Sequence, residues 1–310
     1  MPELPEVETI VGGLNKKARN QKIVDLWHDW PKYFKQIGGE KIFRKHVIGK
    51  KILEFRRRGK NILIHLSDDH LLLVHQKMSG HLLIGRWKKN EAVRFSTNKG
   101  GLDKSWSDQK WIPDHPQGPL TDPMNRFIRI IFFLDSGKML ALSDLRRFAK
   151  ILCGPEQEII ALPDLALLGP EPLEISFGEW KKLFDNKRGK IKQVLMDQNF
   201  LVGIGNIYAD EILWLSKIHA LTPVDKLKIK DLKTLYEATK KILKKALRLR
   251  GSSIDDYRDA EGRLGAYHTK RYVYQRESEP CQRCGTIIKR IKIGGRSAHF
   301  CPKCQKLYKI

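Results

Sequence analysis

No stretch of this sequence approaches the roughly 18 consecutive apolar residues that a membrane-spanning helix needs. Its opening, MPELPEVETI, is acidic and carries prolines where a secretory signal has a basic head and an apolar middle. The expectation is a cytoplasmic, nucleoid-associated chain in a reducing compartment, with no membrane partner. Cysteine is scarce as well: there are five, four of them in the last thirty residues, with Cys153 alone in an apolar run that reads as core. A disulfide framework spreads its cysteines through a chain and belongs to secreted domains, so it is excluded here. Acidic residues are the third shortage. Asp and Glu number 35 against 59 Lys and Arg, giving a net charge of +24. The 41% apolar content is that of an ordinary globular protein, so the imbalance does not signal disorder. A field of that size attracts a polyanion, and nucleic acid is the commonest one.

The pattern that is present divides the chain. Short runs rich in Ile, Leu, Val and Phe fall at 52–55, 61–66, 70–74, 81–84, 127–134, 139–143 and 148–152, with Arg58-Gly59, Ser67-Asp68-Asp69 and Asp135-Ser136-Gly137 as turns between them. Strands so closely spaced predict an antiparallel β-sandwich over 1–155, opened by one helix. A Pro/Gly-punctuated stretch at 156–172 reads as a linker. From 173 to 280 the period turns helical, at 190–198, 206–216 and 231–250, the last with Leu235, Ala238, Ile242, Ala246 and Leu249 on one stripe. The fold class is α+β in two domains. The polar segment 87–126, with Trp87, Trp106 and Trp111, matches neither pattern and reads as an insertion.

Cys281-x2-Cys284 and Cys301-x2-Cys304, separated by sixteen residues, have the paired-knuckle spacing of a tetrahedral zinc site within 281–310. Four thiolates leave no open coordination position, so one structural zinc per chain is expected. Between the pairs, GTIIKRIKIGGRSAHF reads as two strands about a Gly294-Gly295 turn, with Arg296 at the tip and Lys289, Arg290 and Lys292 along one strand. Such a tip can grip phosphates. In the helical region, Gly203 and Gly205 let a turn pass close to another backbone, and Asn206 suits the N-cap of the next helix. The amides there make a phosphate site, although a plain helical corner has the same pattern.

At the start of the chain, removal of the initiator methionine would leave Pro2 as a free secondary amine with Glu3 and Glu6 beside it. Amine attack on a sugar C1′ gives an iminium, which acidifies the C2′ protons and permits elimination of phosphate. One carboxyl could protonate the sugar oxygen and the other hold geometry. A proline-bearing helix start with acids favourable to the dipole reads the same way.

Taken together, PELPEVET, Arg57-Arg58-Gly59-Lys60, Met78-Ser79-Gly80, Arg146-Arg147-Phe148, LVGIGNIYADE and GGRSAHFCPKCQ resemble, in order, the formamidopyrimidine-DNA glycosylase family, over nearly the whole chain outside 87–126. That resemblance implies a bifunctional glycosylase and AP lyase, a helix–two-turn–helix domain before the zinc hairpin, and damaged double-stranded DNA as partner. It also implies a monomer without a small-molecule cofactor, releasing 8-oxoguanine and formamidopyrimidines and nicking by β,δ-elimination. It makes Pro2 the nucleophile, Glu3 the acid/base and Glu6 a supporting carboxylate. Lys60, Asn206 and Arg296 become phosphate contacts, and Met78, Arg146 and Phe148 fill the hole left by a flipped nucleotide. Residues 253–272 become the loop over the flipped base. Three features depart from the family pattern: Leu145 in place of a proline before the Arg-Arg-Phe, the EGRLGAYH sequence of that loop, and the 87–126 segment, which reads as a surface elaboration. The rival readings are an endonuclease VIII-like enzyme for oxidised pyrimidines and a non-catalytic zinc-hairpin DNA-binding protein.

Overall fold

A computed structural model of the chain describes residues 1–91 and 109–307. It divides into two compact units. The first comprises Met1–Pro2, Glu6–Leu162 and Arg250–Ala266, and the second comprises Glu3–Pro5, Pro163–Leu249 and Tyr267–Ile310.

The first unit holds, in chain order, α1 (Leu4–Ala18, from Glu6 onward), β1 (Ile23–His28), α2 (Glu40–Val47), β2 (Ile52–Arg58), β3 (Asn61–Leu66), β4 (His70–His75), β5 (Gly80–Gly85), β6 (Trp87–Lys89), β7 (Trp111–Pro113), β8 (Ile128–Leu134), β9 (Met139–Asp144), β10 (Lys150–Pro155) and α3 (Glu156–Ala161). Two antiparallel four-stranded sheets, ordered β1-β8-β9-β5 and β10-β4-β3-β2, share one core. Leu26, Phe132 and Leu142 enter it from one sheet, and Ile62, Val74 and Ile151 from the other. Val7, Ile10, Val11 and Leu14 bring α1 onto the same core, because that spacing puts all four on one helix face.

The seven sequence-predicted strands are all present, and the structure adds β1 and α2. Ile23–His28 does not alternate cleanly: a bulge lies between Ile23 and Asp25, and the strand sits at a sheet edge. The amphipathic α2 buries only Phe43 and Val47.

The ends of the 87–126 segment are ordered. β6 pairs with β7 in a two-stranded ribbon. On β5, β8 and β9 the alternate residues Leu83, Ile131 and Ala141 point away from the sandwich core. Trp87 and Trp111, nearly fully buried, pack with them in a separate cluster. The ribbon thus covers a sheet face that would otherwise be wet. Trp106 and the rest of 92–108 lie outside the described residues.

His81 on β5 is fully buried, with Nε2 2.9 Å from Asn125 Oδ1, so Nε2 carries the proton. Burial drops its pKa to about 4, against 6.5 in the open chain. The native state therefore prefers the neutral ring. The stability this preference contributes is present above pH 6.5 and is lost as pH falls towards 4. Thermal unfolding should show a drop across that window of roughly 3 kcal/mol, the size of a shift of that length. His81→Gln should flatten it; an unchanged slope would remove His81 as the cause.

The second unit holds α4 (Pro163–Ala166), α5 (Phe177–Leu183), α6 (Ile191–Met196), α7 (Asn206–Ser216), α8 (Ile229–Arg248), β11 (Lys289–Ile293) and β12 (Arg296–Phe300). The stretch read as a linker from sequence thus carries α3 and α4. A capping box of Ser176 and Glu179 starts α5. The buried stripe of α8 runs through Leu232, Leu235, Ala238, Ile242, Leu243 and Ala246, while Leu249, expected on it, is the C-cap residue. β11 and β12 pair as predicted. Gly294 and Gly295 take φ of 54° and 77°, the left-handed pair that a two-residue hairpin turn requires.

Candidate catalytic and DNA-contacting residues

In the second unit the turn between α6 and α7 is built around residues 3 and 4. Leu4 N donates to Gly203 O at 3.0 Å. A Cβ on Gly203 (φ +89°) would lie 2.8 Å from Leu4 Cβ, and one on Gly205 would lie 2.5 Å from Glu3 Cδ. Both glycines are therefore required by close approach. The buried Glu3 carboxylate accepts from Gly205 N (2.6 Å), Ile207 N (2.9 Å) and Tyr208 N (3.4 Å). It caps α7 from outside the helix.

This corrects the reading of Asn206 as N-cap. Gly205 occupies that position and Asn206 is the first helical residue. Its Oδ1 is buried with no hydrogen-bond partner among the described residues. Arg296 is exposed at the start of β12, where the hairpin reading put it.

Sequence reasoning missed the residues that hold these in place. Lys192 on α6 is 1% exposed; its Nζ meets Asp210 Oδ1 at 2.6 Å and also donates to Ser297 O. Burial pulls its pKa down, and Asp210 opposes that shift. Asp210 Oδ2 accepts from both the backbone N and Nδ1 of His299, each at 2.9 Å, so this pair fastens β12 to α7. One residue on, the fully buried Glu211 accepts from the amides of Tyr272, Val273 and Tyr274 and from Tyr267 Oη. Burial raises its pKa, and those four donors pull the other way. A signal existed: two adjacent acids inside an otherwise apolar helix.

In the first unit Pro2 is buried, and Glu6 Oε1 accepts from Ser252 N at 2.8 Å, fixing the start of the segment 250–266. Lys60 is 6% exposed in the two-residue turn between β2 and β3, where Gly59 has φ +58°. Arg57 braces that turn through Glu8 (2.7 Å) and Gly59 O (3.2 Å). Met78 and Phe148 are exposed at the tips of two turns, at 39% and 57%, each preceded by a residue of positive φ, Lys77 and Arg147. The buried Asp144 ties the two turns together: it accepts from Ser79 Oγ (2.6 Å), Arg146 N (3.2 Å) and Ala149 N (2.8 Å). Leu145, where the family pattern has a proline, thus lies in a turn held by the Asp144 carboxylate. Arg146 lies 3.9 Å from Asp256, a carboxyl whose pKa burial and the neighbouring Asp255 raise.

The sulfurs of Cys281, Cys284, Cys301 and Cys304 lie within 4.8 Å of one another. A zinc with bonds near 2.3 Å in a tetrahedron needs its sulfurs about 3.8 Å apart, so the set fits. Trp214 Nε1 donates to Cys281 Sγ at 3.3 Å, orienting one ligand. The folding energy tied to such a metal is on the order of 10 kcal/mol. Metal analysis should find one zinc per chain. Chelation should unfold the hairpin and weaken DNA binding; a metal-free chain of full DNA affinity would contradict both.

Family profiles match three consecutive parts of the chain: the formamidopyrimidine-DNA glycosylase N-terminal domain at residues 1–151, the H2TH domain of the same glycosylase at 168–258, and a zinc finger found in FPG and IleRS at 278–307. The formamidopyrimidine-DNA glycosylase of Heliobacterium modesticaldum is 34% identical over 308 residues, covering 99% of this chain and all of the relative. That of Chloroflexus aurantiacus is 35% identical, covering 98% of each. Among solved structures, Lactococcus lactis Fpg bound to DNA with an abasic site superposes with a TM-score of 0.80 at 29% identity, covering 98% of this chain and 99% of that one. The same enzyme on oxidised-pyrimidine DNA gives 0.79 at 29% identity, covering 98% and 100%. Among the described residues, no helix is long and apolar enough to cross a membrane.

Proposed function

The chain belongs to the formamidopyrimidine-DNA glycosylase family, zinc-bearing enzymes that act on damaged DNA, and from that premise we propose that it excises oxidised purines through a covalent intermediate on Pro2. The Pro2 nitrogen lone pair attacks C1′ as the glycosidic bond breaks and the base departs with the bonding electrons. The proton that the nitrogen then carries passes to the Glu3 carboxylate and from it to O4′ as the sugar ring opens to an iminium. Loss of a C2′ proton expels the 3′ phosphate, and a second elimination expels the 5′ phosphate. The observation that carries this reading is the fixing of the Glu3 carboxylate by backbone amides of α7, directly after the proline whose amine would react. Lys60, Asn206 and Arg296 hold phosphates, and Glu6 braces the segment 250–266. Met78, Arg146 and Phe148 occupy the space of the extruded nucleotide. The protein works as a cytoplasmic monomer.

Excision rates on duplexes carrying 8-oxoguanine, a formamidopyrimidine or an oxidised pyrimidine test the substrate assignment. Purine lesions should be released fastest. Preferential release of pyrimidines would replace this reading with the endonuclease VIII-like one, and no release at all would leave a DNA-binding protein.

Phosphate contacts and gap-filling side chains carry different signatures. Arg296→Ala should weaken binding to damaged and undamaged DNA alike and make the salt dependence shallower by about one unit. Phe148→Ala should leave the salt slope unchanged and slow excision from duplex by roughly ten- to hundredfold, sparing cleavage at a pre-formed abasic site. Identical signatures for the two variants would remove the distinction.

A further inference from the structure

Two departures noted in the sequence, the 87–126 segment and the first part of the loop at 253–272, meet in the first unit. The closing part of the segment forms short 3-10 turns at Pro119–Thr121 and Pro123–Arg126. Asp122 stands between them and divides its carboxylate. One oxygen accepts from Met124 N at 2.9 Å, capping the second turn, while the other lies 2.9 Å from Arg258 Nε. Arg258 is 8% exposed, and its Nη1 donates to the carbonyls of Asp255 (3.2 Å) and Tyr257 (2.9 Å). The guanidinium therefore joins Asp122 to the backbone of the loop.

A second tie lies a few residues on. The fully buried Asn125 carboxamide donates to Pro119 O (2.8 Å) and Gly262 O (3.3 Å) while accepting from His81. Gly262 has φ +85°, and a Cβ there would lie 2.5 Å from Asn125 Nδ2, so only glycine permits this approach. Ile84 N donates to Ala260 O at 2.8 Å, and Lys17 pairs with Glu261 at 3.1 Å. Residues 257–260 are buried, Ile254 and Asp256 are half-buried, and Asp255 between them is exposed.

We infer that the 119–126 end of the inserted segment is the anchor of the 253–262 loop, and that the Asp122–Arg258 pair sets how firmly the loop closes on an extruded base. Asp122 and Arg258 are then positioning residues for base selectivity. This rests on the reading of that loop as the cover of the flipped base. An abasic site presents no base to cover, so the anchor should matter for excision and not for strand cleavage there.

The test uses full-length Asp122→Asn, Arg258→Gln and the double variant. Asparagine keeps an oxygen for the Met124 amide, so the turn survives while the charge is lost. Amide exchange across 253–262 should quicken in each variant. Single-turnover excision of whichever lesion the parent enzyme releases fastest should slow about five- to tenfold, in the range of coupling through a packed contact. Cleavage of a pre-formed abasic site should stay within about twofold, and the double variant should be no worse than the poorer single one. Unchanged exchange in all three overturns the anchor, whatever the lesion spectrum. Quickened exchange with equal losses on lesion and abasic DNA overturns the inference at its premise, that the loop covers the base.

Discussion

Placing one extra residue ahead of Pro2 should abolish the covalent complex that borohydride traps between this protein and damaged DNA. The extension turns a secondary amine into an amide whose lone pair is delocalised into the carbonyl, and an amide nitrogen does not add to C1′. Strand cleavage at abasic sites should fall on the order of 1,000-fold, equivalent to roughly 4 kcal/mol of barrier. DNA affinity should change little, because the residues proposed to hold phosphates lie elsewhere in the sequence. Peptide mapping of the adduct formed by the unextended chain should place the sugar on residue 2. Lys60 is the competing amine: it is buried in the turn between β2 and β3. Trapping of the extended protein through Lys60 would reassign the nucleophile.

Glu3→Gln should lower turnover by about 100- to 10,000-fold, the usual contribution of a proton-transferring group. The structure adds a second consequence. Both carboxylate oxygens of Glu3 accept from α7 amides, Oε2 from Gly205 N and Tyr208 N and Oε1 from Ile207 N. Glutamine has only one acceptor oxygen, and its NH2 would face a backbone donor. The variant should therefore also lose about 1–2 kcal/mol of stability, as when a helix cap is removed. Single-turnover rates on protein shown to be folded separate the two effects. A rate loss under tenfold, with the stability loss present, would reduce Glu3 to a cap.

The two effects of Glu3 show what could be read from the chain before folding. The zinc ligands were legible because two CxxC turns and their separation fix a tetrahedron by covalent geometry alone. The strands were legible because apolar runs alternate with Gly, Asp and Ser turns over short distances. The cap on α7 was not: its acceptor lies 202 residues from Gly205, and its donors are amides that every residue carries. Asn206 looked like the cap because local chemistry was the only chemistry visible. Likewise nothing local to Trp87 and Trp111 announces that they cover the outward side chains of β5, β8 and β9. The Asp210–Glu211 pair could have been found, since buried acids in an apolar helix demand partners. Their partners, on β12 and at 272–274, could not.

The same 202-residue span has a consequence for how the enzyme is born. Residue 3 leaves the ribosome early, and the amides that seat its carboxylate follow roughly 10–40 s later at ordinary rates of synthesis. Through that interval the start of the nascent chain is open to an aminopeptidase, whereas Pro2 is buried once folding is complete. On the proposed reading, the Pro2 amine is thus freed before the α7 amides seat the Glu3 carboxylate, so the half-made chain holds the amine without its acid.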